Sequence, residues 1–464
     1  MRAGLYMVDK NILQNKKHIH FIGIGGSGMF PLAQILHAKG YYLTGSDNNE
    51  TETLDKVREM GIPVFMGQRA ENIEGADLIV HTAAIMSDNP ELIAAKASSA
   101  PVLERSELLG LVTTWYDNAI CVSGTHGKTT TSSMITQIMV SEGEDISAVI
   151  GGKLDCIGGG SGIAGSSDKM VCEACEFVDT FLKLSPDVSV VLNIDADHLD
   201  YFKTVENIIK SFNKFCKKTS KCVIINGDDS NSMKAIQDIT GKDIITFGFT
   251  DKNDYYPVIK EIKGIVTKFQ VFNKDNCLGN FEIHVPGKHN VLNATAAIAT
   301  CLYSGISIEG IKKGLSEFRG AKRRFEKIDE VKGITVVDDY AHHPAEIKAT
   351  LKAAKSLDFK RVWAVHQPFT YSRTAMLLDD FADVLSIADK VVLTEIMGSR
   401  EKNTYNIYSK DLADKIDGCT WFDTFDKVAD YVCENAQSGD LVITLGCGDV
   451  YKVAKLIVKK LKSK

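Results

Sequence analysis

Residues 119–140 read AICVSGTHGKTTTSSMITQIMV. Ala119–Ser123 is a short apolar run that predicts a buried strand, and Thr131–Val140 has the spacing of a helix. The turn between them is Gly124-Thr125-His126-Gly127-Lys128-Thr129-Thr130, and in that setting it reads as a phosphate-binding loop. Successive backbone N–H groups cradle phosphates, the Lys128 ammonium reaches the β and γ oxygens, and the Thr129 hydroxyl can ligate Mg²⁺. The strict pattern asks for glycine at position 122, where this chain has Val122, so the loop is a shortened variant. A fortuitous glycine turn is the competing reading.

On either side of this stretch, short β-branched runs alternate with longer helical patterns, which predicts βαβ units and an α/β fold class. Ahead of it, His18–Ile24 and Leu78–Thr82 read as strands and Met29–Lys39 as a helix, in a unit that ends near Leu111. Behind it, Lys169–Ala174, Val188–Ile194 and Cys222–Asn226 read as further buried strands. Pro257–Asn273 and Phe281–Val285 alternate like antiparallel strands, which predicts a mixed sheet, and His289–Ser304 is helical. After the basic segment Arg319–Lys327 come the strands Ile334–Asp338, Val362–His366, Val391–Glu395 and Leu441–Leu445, each followed by a helical stretch. For 464 residues at roughly 150 per domain, three domains are expected. They are 1–112, 113–319 and 320–464: a Rossmann-like domain at each end and a P-loop domain with a mixed sheet between them.

Composition excludes several classes. With 44% hydrophobic and 25% charged residues the chain is globular, and no apolar run reaches the ~18 residues that would cross a bilayer, so no membrane insertion is expected. Met1–Asn15 show no apolar signal core, and eleven irregularly spaced cysteines suit free thiols, so a cytoplasmic location is expected. A net charge of −6 offers no general affinity for nucleic acid.

A second glycine loop, Gly23-Ile24-Gly25-Gly26-Ser27-Gly28, follows a predicted strand and opens a helix, with Asp47 nineteen residues beyond its last glycine. Glycines let the backbone approach a pyrophosphate, the helix N-terminus offers unpaired N–H groups, and the acid can accept from a ribose hydroxyl. NAD, a UDP-sugar, or no ligand at all fits this motif alone. Metal partners for the Lys128 loop are sought where strands end: at Glu173, and in Asp195-Ala196-Asp197-His198. A satisfied polar residue is the bland reading of each.

These segments, with GSD at 45–47, GKHNVLNATAA at 287–297, RRFE at 323–326, DDYAHHPAE at 338–346 and GCGDVYK at 446–452, make the whole chain similar to the Mur ligases. The resemblance implies ATP-dependent joining of L-alanine to the carboxylate of UDP-N-acetylmuramate through an acyl phosphate, with Mg²⁺. It assigns the UDP-sugar to Gly25, Gly28, Ser46, Asp47, Thr82, Ala83 and Ala84. It assigns ATP to residues 124–130 with Asn290, Asn293, Arg324 and Asp339, and the metal to Thr129, Glu173 and His198. Tyr340, His342 and Arg373 would meet the amino acid as the third domain closes, and Lys128, Glu173, His198, His342 and Arg373 would carry the chemistry. The implied partners are these small molecules, and a homodimer is one assembly it allows.

Departures from the family pattern are local. Cys175 replaces an acid in Glu173-Ala174-Cys175-Glu176, His366-Gln367-Pro368-Phe369 exchanges the usual ends of F-Q-P-H, and Gln68 stands where many members have histidine near the uracil. Cys172 and Cys175 form a C-x-x-C without a second pair, which reads as core thiols rather than a zinc or redox site. An NAD-dependent dehydrogenase would leave the Lys128 loop unexplained. A regulatory nucleotide switch would show no turnover dependent on sugar nucleotide and amino acid. A sibling ligase attaching a whole peptide to the same nucleotide is the nearest alternative, and HFIGIGGSGM at 20–29 favours the alanine-adding type. Selectivity among alanine, serine and glycine is a matter of ~1–3 kcal/mol and is not legible.

Overall fold

Five short strands with apolar centres open the fold: β1 (His18–Ile22), β2 (Tyr42–Asp47), β3 (Val64–Met66), β4 (Leu78–His81) and β5 (Val102–Glu104). They form an all-parallel sheet in the order β3-β2-β1-β4-β5. The order reverses between β1 and β4, and such a switch point leaves a crevice at the carboxyl ends of the strands. The loop Gly23–Gly28 lies there because it leaves the end of β1.

The computed structural model describes residues 11–399 and 401–463, without the side chain of Asp200. Residues 1–10, on which most of the expectation about an export signal rests, lie outside the described residues. Among those described, no helix is long and apolar enough to cross a membrane.

A second sheet contains β6 (Asn118–Ser123), β7 (Ser147–Leu154), β8 (Gly160–Ile163), β9 (Lys169–Glu173), β10 (Val188–Val191), β11 (Cys222–Asn226), β12 (Asp243–Phe247), β13 (Tyr255–Lys263), β14 (Val266–Asn273) and β15 (Asn276–Ile283). Their order is β15-β14-β13-β12-β11-β10-β6-β9-β7-β8. β6 runs parallel between β10 and β9, while β7 and β8 pair antiparallel, so the sheet is mixed as expected. The single run read over 257–273 is two strands, because the chain turns at Gly264, where φ is +56°. The helix after β6 begins at Lys128 rather than Thr131, so the loop lysine is its first residue.

The third sheet holds β16 (Glu326–Val331), β17 (Ile334–Asp339), β18 (Arg361–His366), β19 (Lys390–Thr394), β20 (Thr420–Phe422) and β21 (Asp440–Leu445), in the order β16-β17-β21-β18-β19-β20. Only β16 is antiparallel to its neighbour. Neither β16 nor β20 stands out in the sequence, since both are edge strands with charged or half-buried residues and no continuous apolar run.

Helices cover both faces of this third sheet. Val337, Ala364, Leu393 and Ile443 enter one core, while Val336, Trp363, Val365, Val392 and Val442 enter the other, the period-two alternation of a strand buried on both sides. The first two sheets share one continuous core from Leu13 to Ala235. Helix Arg105–Thr113 packs so closely on the segment 177–183 that a Cβ at Gly110 would stand 2.3 Å from the Lys183 carbonyl oxygen. By contact density the chain divides into two compact units, one of Met1–Lys260, Lys268–Ile283 and Lys288–Phe318, the other of Glu261–Thr267, His284–Gly287 and Arg319–Lys464.

Candidate active site

In the first unit the loop after β1 is held by its neighbours. Gly23 and Ile24 N–H donate to the Ser46 carbonyl at 2.8 and 3.0 Å, and Gly25 N–H donates to Asp47 Oδ2 at 3.0 Å. A Cβ on Gly25 would lie 2.9 Å from that carboxylate oxygen and from Leu54, so the close approach requires glycine. Asp47 thus meets Gly25, and Thr82, beside Gly23 and with its N–H bonded to the Ile22 carbonyl at 3.2 Å, follows β4 at the same carboxyl end of the sheet, where Gly28, Ala83 and Ala84 also lie in the chain. Ser46 belongs to the loop through its carbonyl only. Its hydroxyl is fully buried and donates to Glu91 Oε2 at 2.6 Å, in a network where His20 bridges Glu91 and Thr44 at 2.7 Å each. Gln68 accepts from Asn48 and Asn89.

Arg105 was not anticipated. Its Cδ would lie 3.0 Å from a Cβ on Gly28, which puts a guanidinium beside the loop. A single arginine at a helix start carries no sequence signal.

The second loop is built from three strand ends. Gly127 has φ +89° and lies against Asn293, whose Oδ1 would be 2.7 Å from an added Cβ, so the loop, β6 and helix Lys288–Tyr303 meet at a point where no side chain fits. Asn293 Nδ2 donates to Asn290 Oδ1 at 3.0 Å, and both asparagines are buried within the first turns of that helix. The chain beyond β10 braces the loop from the other side. His126 N–H donates to Asn193 Oδ1 at 2.8 Å, Asn193 Nδ2 donates to the His126 carbonyl at 3.0 Å, and Asp195 N–H donates to Thr125 Oγ1 at 2.9 Å.

Two of the three residues expected to hold a metal are in contact, for Thr129 Oγ1 donates to Glu173 Oε2 at 2.8 Å. These are hard oxygen donors suited to Mg²⁺, which takes most of its remaining ligands from water and phosphate. No three His, Cys, Asp or Glu side chains cluster as a metal site among the described residues. His198 hydrogen-bonds to neither; its ring lies 4.7 Å from that of Phe177 and its Nε2 3.8 Å from Asp197, with its backbone left-handed at φ 51°. Cys172 Sγ turns into the core, 3.3 Å from Cys121 Sγ, whereas burial pushes the Cys175 thiol up and keeps it uncharged on the Lys128 side.

Lys128 is the most heavily engaged side chain of the loop. Its Nζ reaches the Gly124 carbonyl at 2.6 Å, the Thr125 carbonyl at 3.2 Å, and Glu176 at 3.1 Å to Oε1 and 2.9 Å to Oε2. Burial alone would lower the ammonium pKa, yet its anionic surroundings, Glu176 foremost, outweigh it and hold it above the ordinary lysine value. Glu176 escaped the reading of the sequence, although its place three residues after Glu173 could have drawn notice.

In the second unit, Tyr340, His342, Arg324 and Asp339 gather at the end of β17. Asp339 accepts from Phe325 and Ala341 N–H at 2.8 Å each, which ties the RRFE turn to the strand end, and burial raises its pKa to about 6. The guanidinium of Arg324 lies 5.4 Å over the Tyr340 ring. Arg323 is fastened to Asp338 at 2.8 Å and to the Gly446 carbonyl at 2.6 Å. Burial lowers the His342 pKa, although Glu346 Oε2 lies 3.2 Å from its Nδ1. Arg373, on the helix Tyr371–Met376, has a buried Nη1 without a partner among the described residues. In the exchanged H-Q-P-F segment, His366 is fully buried, with Nδ1 2.9 Å from the Leu445 carbonyl and Nε2 without a partner among the described residues, and Phe369 is half-buried.

Two glycine loops at the switch points of adjoining sheets, one of them joining lysine, hydroxyl and carboxylate, define a nucleotide-dependent α/β enzyme. The chain belongs to the Mur ligase family. The family's catalytic-domain description matches residues 18–114, the Mur ligase middle domain matches 122–301, and the Mur ligase glutamate ligase domain matches 323–448. Curated relatives include the UDP-N-acetylmuramate–L-alanine ligase of Acetivibrio thermocellus, 46% identical over 96% of both chains. That of Caldanaerobacter subterraneus subsp. tengcongensis is 42% identical over 97% of this chain and 99% of its own. Among solved structures, the UDP-N-acetylmuramate–alanine ligase of Thermotoga maritima superposes with a TM-score of 0.82 at 27% identity, covering 97% of this chain and all of that one. The murein peptide ligase of Psychrobacter arcticus gives 0.73 at 25% identity, over 97% of this chain and 99% of its own.

Proposed function

We propose that this enzyme joins L-alanine to the carboxylate of UDP-N-acetylmuramate at the expense of ATP, yielding ADP and phosphate, in peptidoglycan precursor synthesis. The supporting observation is the meeting of Lys128, Thr129 and Glu173 at the end of β6 and β9, in a chain 46% identical to a ligase of that name. A muramyl carboxylate oxygen attacks the γ-phosphorus and ADP leaves with the bridging electron pair. The alanine amine then attacks the acyl carbon, the C–O bond to phosphate breaks, and the amine gives up a proton.

Lys128 and the loop N–H groups neutralise charge on the phosphates where it develops. Thr129 and Glu173 would hold Mg²⁺, with His198 as a further ligand on the same rim, and the ion supplies charge neutralisation at the transferring phosphoryl group. Asn290 and Asn293 stand beside the loop for the nucleotide, and Gly25, Gly28, Asp47 and Thr82–Ala84 are proposed for the UDP end of the sugar nucleotide. Tyr340, His342 and Arg373 are proposed for the amino acid, since an arginine with an unpartnered nitrogen suits a carboxylate. A cytoplasmic location is proposed with it, since the reaction consumes ATP.

Phosphate release from ATP, measured with UDP-N-acetylmuramate plus alanine, serine or glycine, tests the reading directly. Release that requires both the sugar nucleotide and alanine supports it, and ATP stable in their joint presence sinks it. Glu173→Gln keeps the side-chain shape and removes the charge beside Thr129, so the Mg²⁺ concentration for half-maximal rate should rise about tenfold or more. An unchanged magnesium titration removes Glu173 from the ligand set.

A further inference from the structure

An ammonium has three donors and no acceptor. In Lys128 all three are taken, by the carbonyls of Gly124 and Thr125 and by the Glu176 carboxylate. The side chain is curled under its own loop, and none of its N–H groups remains for a phosphate oxygen. Glu176 sits in the turn after β9 with 2% of its surface exposed, and it is the partner that can be exchanged, because the two carbonyls belong to the loop itself. A phosphate that reaches Lys128 is an anion arriving where a carboxylate is already seated, and two anions repel strongly at such short range in a poorly solvated site.

We propose that Glu176 is a positioning residue that occupies Lys128 in the nucleotide-free protein and yields it to the incoming phosphates, so that nucleotide affinity is set against an internal competitor. This rests on the reading of residues 124–130 as the ATP site. Glu176 is the only carboxylate hydrogen-bonded to Lys128 among the described residues. The Glu176 carboxylate gives the buried ammonium a counter-ion.

The test is calorimetric binding of ADP and of a non-hydrolysable ATP analogue to the full chain, with steady-state KM and kcat for ATP alongside. Glu176→Gln, of the same shape, should bind both nucleotides about tenfold more tightly, the scale of one charge-assisted hydrogen bond no longer exchanged. The KM for ATP should fall while kcat stays within about twofold, a split that a merely structural role would not produce. Cys175→Asp, which adds a second carboxylate near Lys128 without removing the first, should weaken binding by a similar factor. A folded Gln variant that binds no tighter than wild type overturns the proposal, as does a Cys175→Asp protein with unchanged affinity, which covers the case of a Gln variant that does not fold. If the wild type itself binds neither nucleotide, the ATP-site reading fails and takes this proposal with it; binding by the wild type that the variants merely match overturns the proposal alone.

Discussion

Lys128→Ala is expected to lower kcat by about 10³-fold, the effect of losing one preorganised charge at a phosphoryl centre. It should also destabilise the first unit by roughly 3 kcal/mol or more, since Glu176 would be left buried with no cation. The two effects separate in the double variant Lys128→Met with Glu176→Gln. Removing both charges leaves two neutral groups of similar volume, which is often close to neutral for stability, so folding should recover while turnover does not. Urea unfolding of both proteins, read beside phosphate release, checks this. A Lys128→Ala protein that keeps wild-type turnover would remove the lysine from the mechanism, and a double variant no more stable than the single one would show that the ion pair is not the source of the loss.

His366→Phe is expected to stabilise the second unit, and increasingly so as the pH falls. The imidazole is fully buried beside Phe381, its Nε2 has no partner among the described residues, and burial lowers its pKa to about 4, with the nearby His342 acting in the same direction. Phenylalanine removes the orphaned nitrogen, worth about 1–3 kcal/mol. The Leu445 carbonyl that accepts from His366 is not stranded, because Gln367 N–H also donates to it at 3.1 Å.

The sign with pH follows from proton uptake. A histidine whose folded pKa lies below its unfolded value of about 6.5 takes up a proton on unfolding, so stability is complete above that value and is lost as pH falls towards 4, by up to about 3 kcal/mol. Asp339, in the same unit, has the opposite sign. Its folded pKa of about 6 lies above the unfolded value of about 3.9, so the folded protein holds the extra proton and gains stability as pH falls through the same window. The two shifts are similar in size and nearly cancel in the wild type. His366→Phe leaves Asp339 uncompensated, so the stability difference between variant and wild type should grow by about 2–3 kcal/mol from pH 7 to pH 4. Unfolding followed through Trp363 and Trp421, both in this unit, reports it; a difference independent of pH would mean that His366 is not held neutral.

Much of the catalytic apparatus is written locally. The turn Gly124–Lys128 is legible from its own glycines and the flanking strand and helix, and the apolar runs of β10, β11, β17 and β21 announce strands covered on both faces. The edge strands β16 and β20 were missed because partial exposure removes the apolar run that marks a strand, and the helix start at Lys128 was missed because a left-handed glycine cap leaves no periodic residue to mark it.

From the residue order alone, the α/β class, the two glycine turns between strand and helix and the candidate metal oxygens could be derived, for period-two and helical spacing are properties of neighbouring residues. Which side chains meet was a tertiary matter. Glu176 reaches Lys128 across 48 residues only because β9 pairs directly with β6 in the sheet. The Ser46 hydroxyl turns to Glu91, 45 residues away, instead of to the crevice, and His366 loses its solvent because a helix closes over β18. Sheet order and burial are set by the packing of the whole unit, and each decides a charge, a proton or a hydrogen bond that no local pattern encodes.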